Sequence, residues 1–126
     1  MVFCLCRDAR MSVSFVIPLY NCLPLTQAML ASLQTSLPPG LDHEIILVDD
    51  GSTDGTRDWL ATLGGACRVL LNPHNLGYAG ANNRRVAAAS KEIVALLNND
   101  LVLPPRWLGP LLAVHRRLGA RAGLVG

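Results

Sequence analysis

Lysine is nearly absent from this chain: Lys91 stands alone, and the other basic side chains are arginines, for a net charge of only +2. Charge that weak and that scattered gives no basis for a nucleic-acid footprint. Between Met11 and Leu41 no charged side chain occurs at all. That stretch is still not a membrane span, because Pro18, Pro24, Pro38 and Pro39 cut it into pieces shorter than the ~20 apolar residues a spanning helix needs. The first ten residues lack the apolar run and small-residue cleavage site of a signal peptide. Cys4, Cys6, Cys22 and Cys67 form no C-x-x-C pair and meet no clustered histidines, which argues against a zinc site and against a disulfide framework. The expected setting is reducing and cytoplasmic, with any membrane association supplied through a partner. Acids are missing from one region too: none follows Asp100.

What the chain has is apolar surface. With 126 residues, 51% hydrophobic and 16% charged, it fits one compact domain with a continuous core. Residues 1–12 read as a weakly ordered extension, with Met11 a candidate start, and residues 13–126 as the domain. Val13 to Leu19 and Glu44 to Val48 are β-branched apolar runs ended by turn residues, the pattern of buried strands. Arg68 to Leu71 and Ile93 to Leu97 repeat it. Between them, Leu25 to Leu37 carries Leu25, Met29, Leu30 and Leu33 at helical spacing and stops at Pro38-Pro39-Gly40. A second helix is expected after Ser52, Thr53 or Asp54 as N-cap, running through Trp59, Leu60 and Leu63 to Gly64-Gly65. Asn72 to Gly80 reads as a loop and Ala81 to Ser90 as a helix. A last helix is expected from Pro104-Pro105 to about Leu118, and the final Gly123 to Gly126 reads as the start of a strand.

Strands alternating with helices imply right-handed βαβ units and an α/β fold with a mainly parallel sheet and flanking helices. Ligands then bind beyond the carboxyl ends of the strands. Those ends read Pro18-Leu19-Tyr20-Asn21, Asp49-Asp50-Gly51-Ser52 and Asn98-Asn99-Asp100, so polar and acidic groups gather on one rim. An acidic pair straight after a buried strand is costly unless solvated, hydrogen-bonded or facing a ligand. Asp49 and Asp50 can serve as turn and N-cap residues, or one of them can accept a hydrogen bond from a ring N–H of a base. Asn98-Asn99-Asp100 is equally an ordinary strand-to-loop turn or a place where Asp100 holds a hard cation. Mg2+ or Mn2+ needs only one or two protein carboxylates when a diphosphate and waters complete its shell.

Four segments in order, Val13 to Asn21, Val48 to Thr56, Asn75 to Asn83 and Leu97 to Asp100, resemble the motifs of the family 2 glycosyltransferases with the GT-A fold. The resemblance runs from Val13 to the C-terminus and covers the Rossmann-like, nucleotide-sugar-binding half of that fold. It implies a UDP- or dTDP-linked sugar donor and inversion at the anomeric carbon. It places Pro18 and Tyr20 beside the base and ribose, with Asn21 and Asp49 next to them, and makes Asp50 the carboxylate that reads the base. Asp100 takes the place of the last Asp of the metal-binding Asp-x-Asp, with Mg2+ or Mn2+ as cofactor and Asn99 beside it. The loop holding Gly77 and Asn82 resembles the rhamnosyltransferase-like version that lines the diphosphate and sugar.

The chain departs from the family pattern in three places. Asn98 replaces the first metal Asp, Asn82 stands where many members have Arg, and Arg84-Arg85 replaces an apolar-Gly pair and reads either as a phosphate contact or as a solvated helix face.

An inverting transfer needs a general base. In the family a carboxylate from the second half supplies it, so the lack of acids after Asp100 implies a truncated domain with no catalytic residue of its own. Apolar surface left open by such truncation predicts a homo-oligomer. Two other classes fit the rim. A flavodoxin-like signalling module would hold magnesium with paired acids, but its late strand-end lysine is missing, since Lys91 precedes its strand. A non-catalytic nucleotide-binding or interaction protein would keep the fold alone.

Overall fold

A computed structural model describes residues 3–6, 12–72, 90–91 and 93–110. The expected loop after Asn72, the Ala-rich helix, most of the last helix and the final strand fall outside these residues. So do Gly77, Asn82, Arg84 and Arg85.

Among the described residues five strands form one sheet: β1 (Phe3–Cys6), β2 (Val13–Leu19), β3 (His43–Asp49), β4 (Arg68–Leu71) and β5 (Ile93–Leu96), in the order β1-β5-β2-β3-β4. The pairs β5-β2, β2-β3 and β3-β4 are parallel, and β1 pairs antiparallel with β5. The α/β, mainly parallel architecture is therefore as expected. The first twelve residues hold more than was read from them: Phe3–Cys6 is a strand, at one edge of the described sheet.

The central parallel strands β2, β3 and β5 are apolar almost throughout because both their faces are covered, whereas no residue of β4 is buried. On one face Val13, Phe15, Ile17 and Leu19 pack with Ile45, Leu47, Ile93 and Leu97 under the helices. On the other, Val16, Ile46, Val48 and Val94 form a second buried cluster.

Helix α1 (Leu23–Ser36) follows β2, with proline in its first turn, where the missing N–H has no intrahelical partner to lose. Its buried face is Thr26, Met29, Leu30 and Leu33. The expected Leu25 is half-exposed instead, because the i, i+3, i+4, i+7 stripe starts one residue later on a threonine that a search for apolar spacing passes over. Helix α2 (Thr56–Leu60) is shorter than expected, and Gly55 holds its cap position. Asp54 nonetheless serves the start of α2, accepting from the Thr56 backbone N–H at 2.9 Å.

The last helix does not begin at Pro104-Pro105. Residues 105–106 form a turn, Arg106 takes φ 62°, and helical residues begin at 108. This segment is tied along α1 by the Leu103 N–H, which donates to Ser32 Oγ at 3.0 Å, and by the Trp107 ring N–H, which donates to Ser36 Oγ at 2.8 Å. Those anchors hold it alongside α1.

Candidate functional site

The parallel register sets the rim. Leu19 lies opposite Asp49, and Asp49 opposite Leu71. The residues one step further, Tyr20, Asp50 and Asn72, therefore emerge side by side. Two backbone bonds extend the ladder by that step: Asp50 N–H donates to Leu19 O at 2.9 Å, and Asn72 N–H donates to Asp49 O at 2.8 Å. Tyr20 is 51% exposed, Pro18 half-buried and Asp50 nearly closed off at 6%.

The two adjacent acids have different surroundings. Asp49 is 0% exposed. Its Oδ2 accepts from Arg57 Nε at 2.7 Å and from the Ser52 N–H at 3.1 Å, so its charge is compensated inside the fold. Arg57 also donates from Nη2 to the main-chain oxygen of Asn72, and the Asn72 side-chain amide donates to Asp50 Oδ1 at 3.0 Å. Asp49 Oδ1 and Asn72 Oδ1 find no donor among the described residues. Asp50 is thus the acid at the edge of the site, while Asp49 stands behind it.

Asn21 lies on the same rim and is used as a clasp. Its Oδ1 accepts from the N–H groups of Thr53 (2.8 Å) and Asp54 (3.2 Å), and its own N–H donates to Ser52 Oγ at 2.8 Å. The Leu23 N–H donates to Asp54 Oδ2 at 3.1 Å. Asn21 and Cys22 both sit in the left-handed region, φ 54° and 59°, where asparagine is among the few residues that fit with little strain. The Asp54 carboxyl is held below its usual value, chiefly by the Thr56 hydroxyl, with backbone N–H groups adding to the effect against a smaller burial penalty.

The end of β5 joins the rim through α1. Asn99 Nδ2 donates to Thr26 Oγ1 at 3.1 Å, and Thr26 Oγ1 in turn donates to the Cys22 carbonyl at 3.3 Å. Asn98 and Asp100 flank this anchor with exposed side chains. Among the described residues, no three His, Cys, Asp or Glu side chains cluster as a closed metal site. Of the residues expected from the sequence, Pro18, Tyr20, Asn21, Asp49, Asp50, Asn99 and Asp100 share the rim. Arg57 and Asn72 are additions, and Ser52 and Asp54, expected as N-cap candidates, join them through Asn21 and Leu23. Asn72 carried a usable signal, since it is the first polar residue after a strand, as Asp50 is. Arg57, in the first turn of a short helix, carried none.

The model of the family described as "Glycosyl transferase family 2" matches residues 14–123. The chain belongs to glycosyl transferase family 2. Among curated relatives, this family 2 chain is 35% identical over 119 residues to an uncharacterized protein of Sinorhizobium fredii. It is 33% identical over 106 residues to the validoxylamine A glucosyltransferase of Streptomyces hygroscopicus subsp. jinggangensis. Those alignments cover 90% and 82% of the chain but only 13% and 25% of the relatives. Among solved structures, Staphylococcus aureus TarS residues 1–349 match with a TM-score of 0.72 at 24% identity, over 85% of this chain and 33% of that one. The Pyrobaculum calidifontis mannosyltransferase solved with GDP-Man and Mn2+ matches with a TM-score of 0.65 at 28% identity, over 81% of this chain and 32% of that one. The Rossmann-like GT-A architecture is shared. No described helix is long and apolar enough to cross a membrane.

Proposed function

We propose that this chain is the donor-binding portion of an inverting glycosyltransferase, in which Asp50 reads the base of a UDP- or dTDP-linked sugar. The observation that carries the reading is the placement of Asp50. Among the described residues it is the one acid at the end of a central parallel strand that is neither fully buried nor fully solvated, and it stands beside exposed Tyr20. A nearly buried carboxylate in fixed orientation suits the ring N–H of a uracil or thymine, because a mismatched base would leave it unpaired. Tyr20 and Pro18 supply the apolar wall for base and ribose. Asn21 and Asp49 contribute by holding the loops, and Gly77 and Asn82 belong to the loop assigned to the diphosphate. The solved TarS complexes with UDP and UDP-GlcNAc and the mannosyltransferase complex with GDP-Man and Mn2+ lend support by analogy.

The donor set at the end of β5 fits Mg2+ or Mn2+. Asp100 offers an exposed carboxylate, and the Asn99 side chain beside it is held on Thr26. A single carboxylate suits ions that keep several waters and share the phosphates of their ligand. When bound, such an ion neutralises the diphosphate that leaves. The proton of the acceptor hydroxyl needs a base other than Asp49 or Asp54, since Asp49 is spent on Arg57 and Asp54 on Thr56 and Leu23. We also propose that the chain associates with itself through exposed apolar side chains, which include Leu25, Leu71 and Val102.

Calorimetric titration with UDP and dTDP, with and without Mn2+, tests the reading. Binding that Mn2+ strengthens is expected. Asp50→Ala is expected to remove it, and Asp100→Ala to remove only the Mn2+ enhancement. Nucleotide affinity indifferent to both substitutions would sink the assignment.

A further inference from the structure

We propose that Arg57 and Asn72 are positioning residues that fix the direction of the Asp50 carboxylate. The inference rests on Asp50 being the nucleotide-reading group and adds how its geometry is set. The contacts close a ring. Asp49 Oδ2 holds Arg57 Nε at 2.7 Å, Arg57 Nη2 holds the Asn72 carbonyl, and Asn72 Nδ2 holds Asp50 Oδ1 at 3.0 Å. The Asp49-Asp50 peptide completes it. A further bond, from the Asn72 N–H to Asp49 O at 2.8 Å, pins the same residue from its backbone.

Asn72 and Asp49 are fully buried, so neither touches a ligand, and Arg57 reaches them from the first turn of α2. The guanidinium matters for its shape as well as its charge. It spans from the Asp49 carboxylate to a carbonyl on the neighbouring strand end with two donors in a fixed planar fork, where an ammonium would offer a freely rotating point charge. With Asn72 held at its carbonyl and its N–H, its amide has one direction to offer. The carboxylate that accepts from it is then oriented before any ligand arrives, which lowers the ordering cost of binding.

Two measurements on the full chain test this. By calorimetry with UDP and Mn2+, Asn72→Ser and Arg57→Lys are expected to weaken binding about tenfold, the worth of one hydrogen bond to a charged group. Asp50→Asn is expected to weaken it more. Asp50→Asn combined with Asn72→Ser is expected to be no weaker than Asp50→Asn alone, since Asn72 acts through Asp50. A purely structural Asn72 would lower the urea midpoint and leave the dissociation constant alone. By NMR without nucleotide, the Asn72 side-chain amide signals are expected to move in both Arg57→Lys and Asp50→Asn. Loss of UDP affinity in Asp50→Asn but not in Asn72→Ser overturns the inference and leaves the donor reading standing. UDP affinity unchanged in Asp50→Asn removes the donor reading, and the NMR arm then decides the ring by itself. Asn72 amide signals unmoved by both substitutions overturn the inference whatever nucleotide binding does.

Discussion

At position 21 a single asparagine does two things that its neighbours in the side-chain alphabet cannot do together. It tolerates φ 54° and offers an acceptor to two backbone N–H groups of another loop. Alanine loses the acceptor, worth about 1 kcal/mol where water can partly replace it, and incurs the left-handed penalty of about another 1 kcal/mol. Glycine loses only the first. Urea unfolding should therefore show Asn21→Ala destabilised by about 2 kcal/mol and Asn21→Gly by about half of that. Equal losses would show that the backbone conformation carries none of the effect. The sequence marked Asn21 as a rim residue but gave no sign of its partners, which lie 31 to 33 positions downstream. Arg57 was hidden for the same reason: its purpose appears only once β3 and β4 are parallel neighbours.

Among the elements, the strands were the most legible. Burial on both faces forces continuous apolar runs, so Val13–Leu19 could be bounded from composition, with β3 and β5 off by a residue at their ends; Arg68–Leu71 was bounded as well, although none of its residues is buried. Helices were less so, because a helix boundary is decided by local partners: Thr26 hid the phase of α1, and Gly55 displaced the cap of α2.

The opposite end of the sheet from the rim has its own device. Glu44, in β3, accepts from the Ser14 hydroxyl at 2.7 Å in β2 and from the Ser90 N–H at 2.8 Å before β5, with Arg68 of β4 at 3.5 Å. Burial pushes the Glu44 pKa up, yet the Ser14 and Ser90 bonds and the Arg68 charge together outweigh it, leaving the pKa below the ordinary 4.5. A depressed carboxyl contributes stability that is present above its unfolded value and fades as pH falls through the folded one. Urea midpoints should therefore drop as pH falls from about 4.5, and Glu44→Gln should flatten that acid limb while leaving the dependence at higher pH alone. An unchanged acid limb in Glu44→Gln would place the effect elsewhere.

For the molecule as a whole, the apolar share of 51% meets a sheet whose described edges are β1 and β4. Leu71, at the end of β4, is 48% exposed and Val102 is 74% exposed. Edges and apolar side chains of this kind favour association. Light scattering across a dilution series is expected to give a mass that is a multiple of the chain's and falls on dilution. A monomeric mass throughout would count against self-association. The rim and the α/β class were readable because both follow from strand ends in a parallel sheet. The antiparallel β1 was not, since four residues carry too little pattern and their pairing is set by a partner far along the chain.

That partner gives β1 a place in time as well as in space. Phe3 pairs with Leu96 and Cys6 with Ile93, so β1 has no strand to pair with until β5, the last described strand in chain order, has been made. Contacts of such long sequence separation are slow to form, because the loop must close before the pairing rewards it. β1 therefore waits while β2, β3 and β4 can already pair with one another, and its contacts are expected to be among the last of the described sheet to form.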